Sequence, residues 1–246
     1  MIVPENWLNR TELLIGKTNL RKLKNSHVLV IGLGGVGSAA AEMLCRAGIG
    51  KMTLADGDLI QPSNRNRHLT ALQSTEGIKK TVALASRLKD INPEIKLILV
   101  EKHLKEDAMT ELLEHPYDYI VDAIDSLSAK VYMLLHAVRL GHRVVSSMGA
   151  GAKFDPTKVF VADISETNTC TFAFDIRKRL RRLGVNNGFK TVFSTEPPNK
   201  DAVIFSNTSQ NKKSVAGTIS YIPVVFGCYC AWVVIQDIIC YNNRGE

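Results

Sequence analysis

Residues 28–50 read "VLVIGLGGVGSAAAEMLCRAGIG": an apolar run, a turn carrying Gly32, Gly34, Gly35 and Gly37, then a helical stripe. In a strand, turn and helix of this kind the glycines let the backbone approach a phosphate. The helix start adds unpaired N–H groups and the positive end of its dipole. The pattern also needs an acidic residue about 20 positions on, to hold ribose hydroxyls. Asp56 lies nineteen residues past Gly37, at the end of the next apolar run. To this point NAD, FAD and ATP are equally admissible.

Around that turn, short apolar runs alternate with longer helix-period segments: "HVLVIG" (27–32), "KMTLAD" (51–56), "IKLILV" (95–100), "YDYIVDAID" (117–125) and "HRVVSS" (142–147). Val36, Ala40, Met43, Leu44 and Ala47 form one helical stripe, and Val82, Leu84, Ala85, Leu88 and Ile91 another. Strands alternating with helices predict an α/β fold, a Rossmann-like doubly wound and mostly parallel sheet. With 246 residues, 45% of them hydrophobic, the chain is read as a single domain, 1–246. It divides into an N-terminal helical arm (1–26), a nucleotide-binding core (27–150) and a C-terminal α/β extension (151–246). The extension is expected to hold a strand over 158–164, a basic helix over 171–183, a mobile loop over about 196–214 and a C-terminal helix.

Thirty-one Lys and Arg against 24 Asp and Glu give a net charge of +7, which favours a polyanionic partner without requiring one. The five cysteines include no Cys-x-x-Cys pair, so neither a disulfide scaffold nor a zinc site is expected. The first 25 residues lack the features of a secretory signal, and the protein is expected in the cytoplasm. Residues 216–235 carry no charge and could span a bilayer, but Pro223, Gly227 and two tyrosines inside them favour a buried helix.

The loop after Asp56 bears on the nucleotide. "DGDLIQPSNRNRH" (56–68) adds a second carboxylate at Asp58, an amide at Asn64 and cations at Arg65 and Arg67. Lys80 opens the next helical segment and Asp125 closes "VDAID". Hydride transfer has no use for so many phosphate-binding groups; chemistry on a triphosphate needs cationic clamps and a carboxylate for Mg²⁺. Asp122 reads equally as a turn cap or as a site group, and Arg65 reads as surface.

These elements, in order, resemble the adenylation site of the ubiquitin-activating-enzyme-like proteins, the ThiF and MoeB group. The resemblance implies Gly32, Gly34, Gly35, Gly37, Asp56, Asp58, Asn64, Arg67, Lys80 and Asp125 at ATP, with Asp56 on the ribose and Asp125 on Mg²⁺. It also implies a homodimer in which Arg10 reaches the partner's site, so that Arg10, Arg67, Lys80 and Asp125 are the candidate catalytic residues. His68 stands where that family has glutamine. A monovalent cation is admissible beside ATP and Mg²⁺.

Three further segments, "SSMGAGAKFDPT" (146–157), "VFSTEPP" (192–198) and "GTISYIPVVFG" (217–227), resemble one branch of the family, the tRNA threonylcarbamoyladenosine dehydratases. That branch implies ATP-dependent cyclisation of threonylcarbamoyladenosine at tRNA position 37, and it admits a cysteine-desulfurase and sulfur-acceptor system as partner. In "TFAFDIRKRLRRLG" (171–184), Phe172, Ile176, Leu180 and Leu183 form an apolar stripe. Arg177, Lys178, Arg181 and Arg182 are left facing outward, either as a solvated face or as contacts to tRNA phosphates. Three alternatives stand beside this reading: an adenylyltransferase for a ubiquitin-like sulfur-carrier protein, a non-catalytic nucleotide- or tRNA-binding module, and an NAD-dependent oxidoreductase.

Overall fold

A computed structural model describes residues 6–205 and 214–240. The N-terminal arm is two short helices, α1 (Asn9–Ile15) and α2 (Lys17–Asn25). Then strands and helices alternate: β1 (His27–Ile31), α3 (Gly35–Arg46), β2 (Lys51–Ala55), α4 (Lys80–Ile91), β3 (Lys96–Val100), α5 (Glu106–Leu113), β4 (Tyr119–Asp122), α6 (Leu127–Arg139) and β5 (Val144–Ser147). The extension adds β6 (Val159–Asp163), α7 (Thr171–Arg182), β7 (Lys190–Ser194), a hairpin of β8 (Val203–Phe205) and β9 (Ser214–Ala216), and α8 (Tyr221–Cys240).

One seven-stranded sheet runs in the order β3-β2-β1-β4-β5-β7-β6, parallel throughout except for the antiparallel edge pair β6 and β7. Helices cover both faces. Leu23 of α2, Leu44 of α3, Leu84 of α4 and Phe226 of α8 share one apolar cluster, while Met109 of α5, Met133 of α6 and Ile176 of α7 share the other. Strands buried on both sides are continuous apolar runs, which is why β1, β2 and β4 stand out in the sequence. The strand order reverses between β1 and β4, and the crevice beyond their C-terminal ends is where such sheets bind ligands. The glycine turn leaves β1 at that edge, Asp56 follows β2, and Asp125 follows β4.

Helix α8 is long and apolar enough to cross a membrane by length and composition, and half of it is buried within the fold. It lies directly on the glycine-turn helix: a Cβ at Gly227 would come within 2.6 Å of the Val36 carbonyl oxygen on α3. Pro223 falls in the first turn of α8, where backbone N–H groups have no intrahelical acceptor to lose.

Two expectations change here. Of the loop expected over about 196–214, residues 203–205 and 214–216 form the β8/β9 hairpin, and 206–213 lie outside the described residues. Leu183 is exposed rather than part of the α7 stripe; Ala173, buried one turn before Ile176, completes that face instead.

Candidate functional site

The glycines of the turn have separate reasons to be there. Gly32 sits at φ +84 and a Cβ on it would meet the Ala123 carbonyl oxygen at 2.7 Å, while one on Gly37 would overlap the carbonyl oxygen of Gly32. Those two close the packing between turn, α3 and the loop after β4. Gly34 differs: a Cβ there would meet nothing within 4 Å. Its open side is the approach a phosphate needs, at the start of α3.

Leu33, between Gly32 and Gly34, is held at both its N–H and its carbonyl. Its N–H donates to Asp56 Oδ2 at 2.7 Å, and Asp56 Oδ1 accepts from the N–H of Asp58 at 2.8 Å. Its carbonyl faces Nε2 of buried His68, whose Nδ1 accepts from the Thr70 N–H at 3.2 Å. The accepting Nδ1 makes this the neutral tautomer with the proton on Nε2. Burial holds the imidazole below its ordinary pKa, opposed by the Leu33 carbonyl and reinforced by Lys80 and Arg67. In the sequence His68 registers only as a departure from the family's glutamine; its hold on Leu33 depends on two segments meeting.

The cations have partners of their own. Lys80 Nζ lies 2.6 Å from Asp58 Oδ2 and 3.8 Å from Asp56 Oδ2. Arg67 donates to the Ser63 carbonyl and to Asn66 Oδ1, each at 2.8 Å. Asn64 Oδ1 accepts from the Gln61 N–H at 3.1 Å and caps the short turn at Pro62–Asn64. Arg65 is 3.8 Å from Glu76 at the surface, as expected.

Beyond β4, the choice open for Asp122 resolves toward structure. Its Oδ1 accepts from the Ile124 N–H at 3.1 Å, and its Oδ2 accepts from Ser146 Oγ and pairs with Lys130 Nζ, both at 2.6 Å. Asp122 and Lys130 are both fully buried. Lys130 escaped the sequence reading, although a lone lysine on the apolar face of "LSAKVYMLL" was a visible signal. Asp125 is exposed, three residues past the end of β4 rather than within it. A cleft of about 490 Å³ between the start of α5 and α6 is lined by Leu104, Lys105, Glu106, Asp107, Met109, Ser128, Ala129 and Tyr132. No group of three or more His, Cys, Asp or Glu that could hold a metal occurs among the described residues. Mg²⁺ bound at a nucleotide needs fewer protein ligands than that, because phosphates and water complete its shell.

The basic helix departs from expectation at one position. Arg177 is half-buried and turned inward: Nη1 donates to the Thr167 carbonyl at 2.7 Å and also to Thr167 Oγ1. Lys178, Arg181 and Arg182 face outward, joined by Arg179. Arg10 is exposed on α1, and Leu13 and Leu14 on the same helix are 84% and 85% exposed. Cys170, just before α7, is buried.

Comparison with known proteins places this geometry. The family model for the ThiF family matches residues 8–244. The chain is 36% identical over 238 residues to the tRNA threonylcarbamoyladenosine dehydratase of Bacillus subtilis (strain 168), covering 94% of both. To the enzyme of that name from Escherichia coli (strain K12) it is 35% identical over 206 residues, 80% of this chain and 77% of the relative. The crystal structure of E. coli tRNA N6-threonylcarbamoyladenosine dehydratase in complex with ATP superposes with a TM-score of 0.89 at 30% identity, over 100% of both chains.

Proposed function

The chain belongs to the ThiF family, and from that premise we infer an ATP-dependent tRNA threonylcarbamoyladenosine dehydratase, which adenylates the carboxylate of that nucleoside at tRNA position 37 and cyclises it. The observation carrying the reading is a buried lysine 3.8 Å from the very carboxylate that anchors the glycine turn, Lys80 beside Asp56. A cation there serves triphosphate chemistry and is idle in hydride transfer.

Asp56 orients the ribose, while Lys80, Arg67 and Asn64 exchange their present partners for phosphate oxygens. The cleft beside Ala129 and Tyr132 has the size for a purine, with Lys105, Glu106, Asp107 and Ser128 as the polar groups on its wall. Asp125 would hold Mg²⁺, which supplies charge neutralisation on the phosphates when bound. A carboxylate oxygen of the modified adenosine attacks the α-phosphorus and pyrophosphate leaves. The ureido nitrogen of the same nucleotide then attacks the acyl carbon and gives its proton to solvent. AMP departs with one of the carboxylate oxygens, so the ring closes with net loss of water. Because nucleophile and electrophile belong to one nucleotide, proximity is built into the substrate and no enzyme nucleophile is required.

Leu13 and Leu14, exposed on the helix that carries Arg10, support a homodimer with Arg10 acting across the interface. The exposed cations of α7 support tRNA phosphates as their partner, and a tRNA substrate supports a cytoplasmic setting.

Pyrophosphate release tests the reading. It is expected to rise with threonylcarbamoylated tRNA and to accompany appearance of the cyclic nucleoside. Release driven instead by a Gly-Gly-ended ubiquitin-like carrier would transfer the chain to the sulfur-carrier adenylyltransferases. Persistence of the cyclic nucleoside in tRNA from cells lacking the gene would remove the dehydratase reading altogether.

A further inference from the structure

The three segments that carry the likeness to the tRNA-modifying branch, 146–157, 192–198 and 217–227, meet at one residue. The N–H of Phe154 donates to both carboxylate oxygens of Glu196 at 3.0 Å, and the N–H of Asp155 to one of them at 2.9 Å. Lys153 Nζ donates to the Glu196 carbonyl. From the third segment, the Tyr221 hydroxyl donates to the Phe154 carbonyl at 2.8 Å, and the Gly217 carbonyl accepts from the Ala152 N–H at 2.8 Å. Ala152 itself is held at φ +57, left-handed for a residue with a Cβ.

Both backbone polar groups of Phe154 are therefore fixed by side chains from distant parts of the chain, yet its ring is 68% exposed. The ring makes a T-shaped contact with Tyr221, with centroids 6.0 Å apart at 74°, and most of it stays in solvent. A rigid, strained loop that ends in a solvated phenyl ring gains nothing for the fold; it is preorganised for a flat partner.

Position names that partner. Residues 148–155 leave β5 and Glu196 follows β7, so Phe154 stands on the same sheet edge as Asp125, two strands from the glycine turn. Helix α7 starts against this loop: a Cβ at Gly149 would touch Phe172 Cβ at 3.6 Å. The exposed Lys178, Arg181 and Arg182 lie about 9–15 Å further along the helix. Unpaired RNA bases are recognised by stacking on aromatic rings, with cations nearby taking the phosphates. We propose that Phe154 is the stacking platform for a base of the tRNA loop next to the adenosine being cyclised. This rests on the dehydratase reading above.

Two variants test it, with a threonylcarbamoylated anticodon stem-loop as probe. Phe154→Leu keeps the apolar bulk without the π face and is expected to raise the Kd for the stem-loop at least about fivefold, leaving the ATP KM unchanged. Phe154→Trp is expected to bind like the parent, and its fluorescence to be quenched by the stem-loop beyond the change given by Trp7 and Trp232 in the parent. Parental Kd in Phe154→Leu, or no added quenching in Phe154→Trp, overturns the platform. If the added fluorescence of Phe154→Trp follows protein dilution instead of RNA, the platform gives way to a contact between two copies of this chain. A parent enzyme whose pyrophosphate release ignores the modified RNA marks failure of the dehydratase reading, which is a separate result. Should Phe154→Leu not fold, the fluorescence measurement still decides.

Discussion

Asp122 and Lys130 sit 2.6 Å apart with no solvent at either, so neither charge can be removed alone. Lys130→Met leaves the buried Asp122 charge with only the Ile124 N–H and the Ser146 hydroxyl and is expected to cost about 3–5 kcal/mol, read from the shift of a urea unfolding midpoint. Asp125→Ala belongs to the opposite class, because its side chain is exposed. The melting temperature should stay put while pyrophosphate release falls about 100-fold or more. Near-parental turnover at ordinary Mg²⁺ would take Asp125 out of the metal's shell. His68 links a residue to a pH profile. Its Nε2–H donates to the Leu33 carbonyl in either protonation state, but only the neutral ring accepts from Thr70 at Nδ1, and burial keeps its folded pKa below the ordinary value. The Thr70 bond is complete above pH about 6.5 and is lost as pH falls through the lower folded pKa, which also sets a new charge beside Lys80, Arg67 and Asp56. The KM for ATP should rise on that acid limb, and His68→Gln should flatten it. An unchanged limb in the variant assigns the titration to another group.

At the scale of elements, α7 separates two kinds of arginine that one sequence pattern presents alike. Reversing Lys178, Arg181 and Arg182 to Glu should raise the tRNA KM at unchanged melting temperature. It should also lower the slope of log K against log salt by about 0.7–0.9 for each phosphate no longer neutralised. Arg177→Ala, which gives up the bonds to Thr167, should instead lower the melting temperature. If both variants behave alike, the burial of Arg177 has no energetic weight. Nothing in "IRKRLRR" distinguishes Arg177, since its acceptor sits ten residues earlier on a turn that only the fold brings near. The same limit explains β7: Thr191 and Ser194 are buried polar residues paired against β6, so "KTVFS" never shows the apolar run that made β1 and β2 legible. The glycine turn, the crossover helices and the meeting of Asp56, Asp58 and Lys80 beside that turn were readable because each follows a local pattern in chain order. The hold of His68 and the meeting at Phe154 were not, because each joins segments that are remote in sequence, while Lys130 was visible as a lone lysine on an apolar helix face without its partner being so.

For the molecule as a whole, the proposed homodimer with Arg10 acting in trans predicts complementation. Arg10→Ala and Asp125→Ala, each inactive, should regain activity when mixed. After random exchange half the dimers are mixed and one of their two sites is intact, so recovery should approach roughly a quarter of the parental rate. No recovery despite demonstrated exchange would confine Arg10 to its own subunit. The charge balance has a different consequence. The chain carries +7 overall, but at the nucleotide site the 10% exposed ammonium of Lys80 is already matched by Asp58, the 54% exposed and easier partner to swing aside. In the proposed assignment, nucleotide uptake at Lys80 is an ion exchange, one anion leaving as another arrives, whereas tRNA docking on α7 would add anions to an exposed cationic face. The two substrates of one enzyme should answer ionic strength differently: a steep loss for tRNA, a shallow one for ATP, and an optimum set by the RNA alone.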